Sequence, residues 1–261
     1  MAQWDSGQYL KFEAQRTQPA MDLARRIPLE APADVLDVGC GPGNSSRVLA
    51  ERFPTARICG LDSSPEMIAA ARKKHPELEF RLCDAGRELS GLGRRFDVVF
   101  SNACIQWIPG HEALIANMLD LLRPGGVLAV QTPMNDDEPI HRIIGELVAS
   151  GEWKAAFPRP RIFHNLTPEG YFDLLAARAA DFTLWETTYY HVLGSHADIL
   201  EWYRGTGLRP YLAVLTEARQ KRFEAAVYER VVAAYPPQAN GAILFRFPRF
   251  FFLATPRAAT A

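Results

Sequence analysis

No stretch of the 261-residue chain stays apolar over the roughly 18 residues that a membrane-crossing helix needs. The first residues, MAQWDSGQYLKFEAQR, lack a basic start followed by an apolar core, so no secretory signal is expected. Cysteine is scarce, with four residues (Cys40, Cys59, Cys83 and Cys104) and no CxxC pair. That spacing argues against a zinc site and for buried free thiols in a reducing cytoplasm. An excess of either charge is also missing. The 29 Lys and Arg against 30 Asp and Glu leave −1, so nothing global attracts nucleic acid or an anionic membrane. Repeats and low-complexity segments are absent. What remains, 48% hydrophobic and 23% charged residues, is the balance of a globular protein long enough for one large α/β domain. The expected setting is cytoplasmic and monomeric, with a small molecule rather than a membrane or nucleic acid as partner.

From residue 33 to 132, short apolar runs alternate with amphipathic stretches. ADVLDVG (33–39), ARICGLD (56–62), LEFRLCD (78–84), RFDVVFSNA (95–103) and VLAVQTP (127–133) read as strands. SSRVLAERF (45–53), PEMIAAARKKH (65–75) and HEALIANMLDLL (111–122) read as helices. This alternation predicts βαβ units and a parallel sheet. Further on, 138–150, 167–178, 195–212 and 217–235 look helical, with Thr167 as an N-cap. FTLWETTYYHVL (182–193) and FRFPRFFFLA (245–254) look like strands, the latter with Pro248 at a bulge or edge.

Asp37-Val38-Gly39-Cys40-Gly41-Pro42-Gly43-Asn44 follows a strand and opens a helix. Gly39 and Gly41 permit a tight turn and close backbone approach to a ligand, which in such folds lies beyond the strand ends. The dinucleotide fingerprint would need Gly or Ala where Asn44 stands, and the phosphate loop needs a G-K-S/T that is missing. Asp62 ends the second strand, placed to accept from a ribose diol or merely to cap the next helix. Asp84, ending the third strand, can reach an adenine amino group, and Asn102 follows at the fourth. Asp37 can orient the loop or accept from an ammonium. An acidic rim of this kind suits a sulfonium nucleoside carrying an amino acid better than a pyrophosphate.

VLDVGCGPGNSS, GLDSSPEMIAAAR, DVVFSNACIQWIP and LLRPGGVLAVQ resemble the four main motifs of class I S-adenosylmethionine-dependent methyltransferases. The segments W-D-S-x-x-Y-x-x-F (4–12), R-T-Q-P-A (16–20), T-T-Y-Y-H (187–191), T-G-L-R-P-Y (206–211) and PRFFFLA extend the resemblance nearly end to end, to a branch that esterifies trans-aconitate, a small polycarboxylate. The resemblance implies a Rossmann-like α/β fold, with a seven-stranded, mostly parallel sheet, its last strand antiparallel, and a small helical cap. It divides a single domain into an N-terminal helical lid (1–30), a cofactor-binding core (31–135), cap elements (136–166 and 195–237) and the last strands (182–193 and 245–254). It implies S-adenosyl-L-methionine as cofactor and S-adenosyl-L-homocysteine as product. The implied contacts come from Asp37, Gly39, Gly41, Asn44, Asp62, Ser63, Met67, Asp84, Ala85, Asn102 and Ala103. Arg246 departs from the pattern, where relatives have a small residue, either as a surface group or as an extension of an anion pocket.

A carboxylate is already ionised at pH 7, so its methylation needs alignment and water exclusion but no general base. No catalytic acid or base, and no metal, is therefore nominated. Candidate acceptor contacts are Tyr9, Phe12 and Arg16, which share one helix face as a lid or as plain packing. Arg204 and Arg209 offer guanidinium forks for carboxylates. Tyr190 and His191 are candidate donors, with at most one of Tyr189 and Tyr190 facing a pocket, and Trp107 is a candidate apolar wall. Competing readings are a methyltransferase for another acid, such as a carrier-bound one, and a non-catalytic cofactor-binding module. A nicotinamide oxidoreductase fits least, given Asn44 and the lack of a catalytic dyad.

Overall fold

The computed structural model describes residues 13–158 and 162–257. Its elements run α1 (Glu13–Arg26), β1 (Asp34–Val38), α2 (Asn44–Arg52), β2 (Arg57–Asp62), α3 (Pro65–Lys74), β3 (Glu79–Leu82), β4 (Phe96–Asn102), α4 (His111–Asp120) and β5 (Leu122–Pro133). They continue with α5 (Pro139–Ala149), α6 (Gly151–Lys154), α7 (Pro168–Arg178), β6 (Ala179–Leu193), α8 (His196–Arg204), α9 (Arg209–Leu212), α10 (Glu217–Ala234) and β7 (Ile243–Pro256).

The seven strands form one sheet in the order β3-β2-β1-β4-β5-β7-β6. Strands β1 to β5 pair in parallel, and β7 runs antiparallel to β5. The order reverses at β1, between β2 and β4, and in an open α/β sheet such a reversal marks the ligand crevice beyond the strand ends. β1 is buried at all five positions, as a strand covered on both faces must be, which explains its unbroken apolar run.

The described residues divide into two compact units, one of 16–134, 163–187 and 249–257, the other of 13–15, 135–158, 162 and 188–248. The first is built on the sheet, with Leu36, Val99, Leu128, Tyr171 and Phe252 in its core. The second packs Ile140, Trp153, Phe157, Trp202, Phe223 and Phe245 together. Strands β6 and β7 each pass from one unit into the other.

The starting ends of the strands in the sheet unit carry a salt-bridge network. Asp34 is buried and accepts from Arg57 at 2.8 and 2.9 Å and from Arg123 at 2.6 Å. Those bonds, Arg57 first, hold its carboxyl at about 2. Asp97 accepts from Arg123 and from the backbone amides of Ala33 and Asp34.

The segment 195–212, expected to be helical, breaks after Arg204 and resumes only for Arg209–Leu212. Gly205 ends α8, and a Cβ at Gly207 would lie 2.5 Å from the Tyr203 ring, so the bend is tied to a glycine packed on an aromatic. Strand β5 begins five residues earlier than the apolar run suggested, because Leu122 pairs with Phe96 ahead of the Gly125-Gly126 irregularity. Thr167 caps α7 as expected, accepting from Gly170 N at 3.2 Å. No helix among the described residues is long and apolar enough to cross a membrane, and none of their His, Cys, Asp and Glu side chains cluster as a metal site.

Candidate cofactor site

The loop from β1 to α2 holds three glycines at positive φ, Gly39 (+76°), Gly41 (+55°) and Gly43 (+91°). At Gly39 the need for glycine is steric twice over. An added Cβ would lie 2.1 Å from Cys104 Sγ and 2.4 Å from Cys104 Cβ, in a backbone conformation that L residues avoid. Gly39→Ala should therefore cost about 2–5 kcal/mol, combining left-handed strain with overpacking. Urea unfolding checks this, and an unchanged midpoint would mean that Cys104 yields. At Gly41 a Cβ meets nothing within 4 Å, so this side of the loop is open to a ligand.

Asp62 binds that loop directly. Its Oδ2 accepts from Gly41 N at 3.0 Å and its Oδ1 from Ser64 N at 2.9 Å. Gly39 N and Cys40 N both donate to Leu61 O, at 2.8 and 2.9 Å. Capping of α3 falls to Ser64, whose hydroxyl accepts from Met67 N, so Asp62 is not the cap.

Asp37 is fully buried. Its Oδ2 accepts from Ser45 and Ser46 at 2.7 and 2.6 Å, while its Oδ1 is buried without a hydrogen-bond partner. Burial pushes its carboxyl up to about 6, against the pull of the two hydroxyls and with a further push from Asp62. One oxygen of Asp37 thus holds the first turn of α2, and the other has no hydrogen-bond partner. Ser45 and Ser46 went unread in the sequence, where only their place after the glycine loop signals them.

Asp84 accepts from Gly86 N at 2.9 Å beyond β3, next to buried Ala85. Asn102 ends β4 with its Oδ1 buried and unpartnered. Ala103 follows at φ +52°, the single non-glycine residue with positive φ among the described residues, and such strain concentrates at functional sites. Asn44 takes Lys74 Nζ at 2.8 Å on the exposed side of α2. Trp107 is 43% exposed and packs on Phe163 with ring centroids 4.9 Å apart.

The remaining acceptor candidates belong to different units or lie outside the described residues. Tyr9 and Phe12 lie outside the described residues, and Arg16 is described only by its place in α1. Tyr190, His191, Arg204 and Arg209 belong to the helical unit. There Tyr190 is 57% exposed, whereas His191, on the opposite side of β6, stacks on Trp202 at 4.8 Å. Arg204 donates to Glu224 at 2.5 Å, so its fork is already engaged within the unit. Arg209 opens the short α9 half-buried. Arg246 is exposed at the surface and ion-paired with the buried Glu138. All four cysteines are free, and burial raises the Cys104 thiol to about 12.

An open glycine loop, an acidic strand end tied to it and unpartnered oxygens on Asp37 and Asn102 suit a ligand with a ribose and a cationic amino-acid end. Residues 35–126 match the family described as methyltransferase domain. A solved structure of Haemonchus contortus phosphoethanolamine N-methyltransferase 2, in complex with S-adenosyl-L-methionine, shares the fold. Its TM-score is 0.53 at 16% identity, over 92% of this chain and 53% of that one. The YcgJ protein from Bacillus subtilis gives a TM-score of 0.60 at 12% identity, over 92% of this chain and all of that one. The chain thus carries a methyltransferase domain of the Rossmann-like fold.

Two curated relatives narrow this further. A trans-aconitate 2-methyltransferase of Methylobacterium radiotolerans is 44% identical over 97% of this chain and 98% of its own length. One of Azoarcus sp. is 46% identical over 97% and 99%. The chain belongs to the trans-aconitate 2-methyltransferase family.

Proposed function

We propose that this chain esterifies a carboxylate of trans-aconitate with a methyl group from S-adenosylmethionine, as a cytoplasmic monomer. The observation that carries this reading is the 44–46% identity with relatives of that name over 97% of this chain. Asp62 accepts from the ribose hydroxyls and Asp84, with Ala85, faces the adenine. Asp37 and Asn102 turn their unpartnered oxygens to the amino-acid end. Bound there, S-adenosylmethionine supplies the methyl group and leaves as S-adenosylhomocysteine.

The chain's own part is alignment. The acceptor oxygen is already anionic, so no side chain has to remove a proton. Positioning of the acceptor can account for roughly 7–11 kcal/mol of the barrier. Arg16, on α1 of the sheet unit, is the guanidinium we assign to an acceptor carboxylate.

Incubation with labelled S-adenosylmethionine and a panel of trans-aconitate, cis-aconitate, citrate, isocitrate and a monocarboxylate tests the reading. Label recovered chiefly as an ester of trans-aconitate is the expected result. Cofactor binding without transfer to any acid would move the assignment to a carrier-bound acceptor or to a non-catalytic module. In the same assay Arg16→Ala should lose acceptor turnover and keep cofactor affinity, whereas a parallel loss of both would make α1 purely structural.

A further inference from the structure

Gln131 is fully buried near the end of β5, and neither Oε1 nor Nε2 of its side chain has a hydrogen-bond partner. A buried primary amide with no bonds at either end raises the energy of the empty protein, and proteins rarely retain one without a use. The sheet register shows where it stands. Gln131 is directly opposite Asn102 on β4 and Phe251 on β7. Its neighbours Val130 and Phe252 belong to the core on the other face of the sheet. By the alternation of a strand, Gln131 therefore shares a face with Asn102, Phe100 and Asp37. Phe251 stacks on Trp185 at 5.1 Å, and Trp185 carries the Arg26 guanidinium of α1 at 4.4 Å, so this is the α1 face.

Three adjacent strands in the order β1-β4-β5 thus present Asp37, Asn102 and Gln131 near their C-terminal ends, each with a buried polar atom that bonds to nothing in the protein. The groups assigned to the cofactor lie on the loop after β1 and at the ends of β2, β3 and β4. Gln131 is one strand beyond β4 and two strands, about 10 Å, from the Asp37 strand. That places it past the cofactor's amino-acid end, where the methyl group has to be handed over. A neutral amide offers two N–H donors there without a counter-charge, which suits a carboxylate whose nucleophilicity must survive binding.

We propose that Gln131 is a specificity-determining residue that donates its side-chain N–H groups to a carboxylate oxygen of the methyl acceptor, beside the Asn102 amide. The assignment rests on the reading of the chain as a carboxylate methyltransferase. The cofactor's own carboxylate has the same chemistry, and the test separates the two.

Gln131→Leu keeps the volume and removes the donors. The expected result is a melting temperature equal to or above wild type, since an unsatisfied amide is lost. S-adenosylmethionine affinity by calorimetry should stay within twofold. The KM for trans-aconitate should rise roughly ten- to a hundredfold, the worth of one hydrogen bond to a charged group, with a smaller change in kcat. Gln131→Glu should raise KM at least as far, by placing like charges together. An acceptor KM within twofold of wild type would overturn the proposal. A loss of cofactor affinity as large as the KM change would assign the amide to the cofactor's carboxylate and overturn it equally. Should Gln131→Leu not fold, Gln131→Met carries the same readouts. If wild type methylates no acid of the panel, the functional reading fails on its own. Gln131 is then read from melting shifts with S-adenosylhomocysteine plus trans-aconitate or citrate. A shift in wild type that is lost in Gln131→Leu supports the role, and no shift in wild type overturns it.

Discussion

Asp62→Ala is expected to raise the dissociation constant for S-adenosylmethionine at least a hundredfold, measured by calorimetry on folded protein. Two ribose hydroxyls would lose a charged acceptor, and each such bond is worth about 1.5–3 kcal/mol. The structure adds a second route to the same loss, because the carboxylate also accepts from Gly41 N and Ser64 N and so ties the glycine loop to the start of α3. Asp62→Asn separates the two contributions, since the amide keeps one acceptor oxygen for the backbone but forfeits the charge. An intermediate affinity is expected. An Asp62→Ala protein that binds as tightly as wild type would remove Asp62 from the site.

Asp37→Asn should move stability and binding in opposite directions. The Asp37 carboxyl titrates at about 6 in the folded protein against 3.8 ordinarily, with burial as the main cause. A raised pKa means that the stability from the protonated carboxyl is fully present below pH 4 and is lost as the pH climbs through 6. The linkage amounts to about 3 kcal/mol at neutral pH. Asparagine has no such charge to bury and its oxygen can still accept from Ser45 and Ser46. The cofactor-free variant should then unfold at higher urea than wild type at pH 7–8, and the gap should close toward pH 4. Cofactor affinity should fall about ten- to a hundredfold with the ammonium's partner gone. In wild type, affinity should decline as the pH drops below about 6. A variant that loses stability at pH 7, or that keeps full affinity, would show that the buried charge does not serve the ligand.

The central sheet was legible in the sequence because β1, β2, β4 and β5 are largely buried and so read as nearly unbroken apolar runs bounded by Gly and acidic residues. The places of the cofactor candidates were legible too, since Asp37, Asp62 and Asn102 fall near the ends of β1, β2 and β4 and Asp84 just beyond β3. Gln131 was not, because VLAVQTP shows only one polar residue late in a strand. Its meaning depends on the register that sets it opposite Asn102. The sequence also could not show that Arg204 is engaged by a glutamate 20 residues further on, or that Arg246 faces Glu138. Long-range pairing of charges leaves no periodic trace. The break in 195–212 was missed because a glycine packed on Tyr203 looks, locally, like any other glycine.

The network around Asp34 sits where the strands of the sheet unit begin, at the opposite end of β1 from the glycine loop. Every buried charge there is met by a partner, whereas the C-terminal ends keep oxygens that the protein leaves unbonded. Durability and ligand recognition are therefore assigned to separate ends of the same strands. Substitutions that reinforce the Arg57 and Arg123 cluster can raise heat tolerance without entering the reaction. Drift among acceptors can proceed at Gln131 while the scaffold beneath it stays as it is.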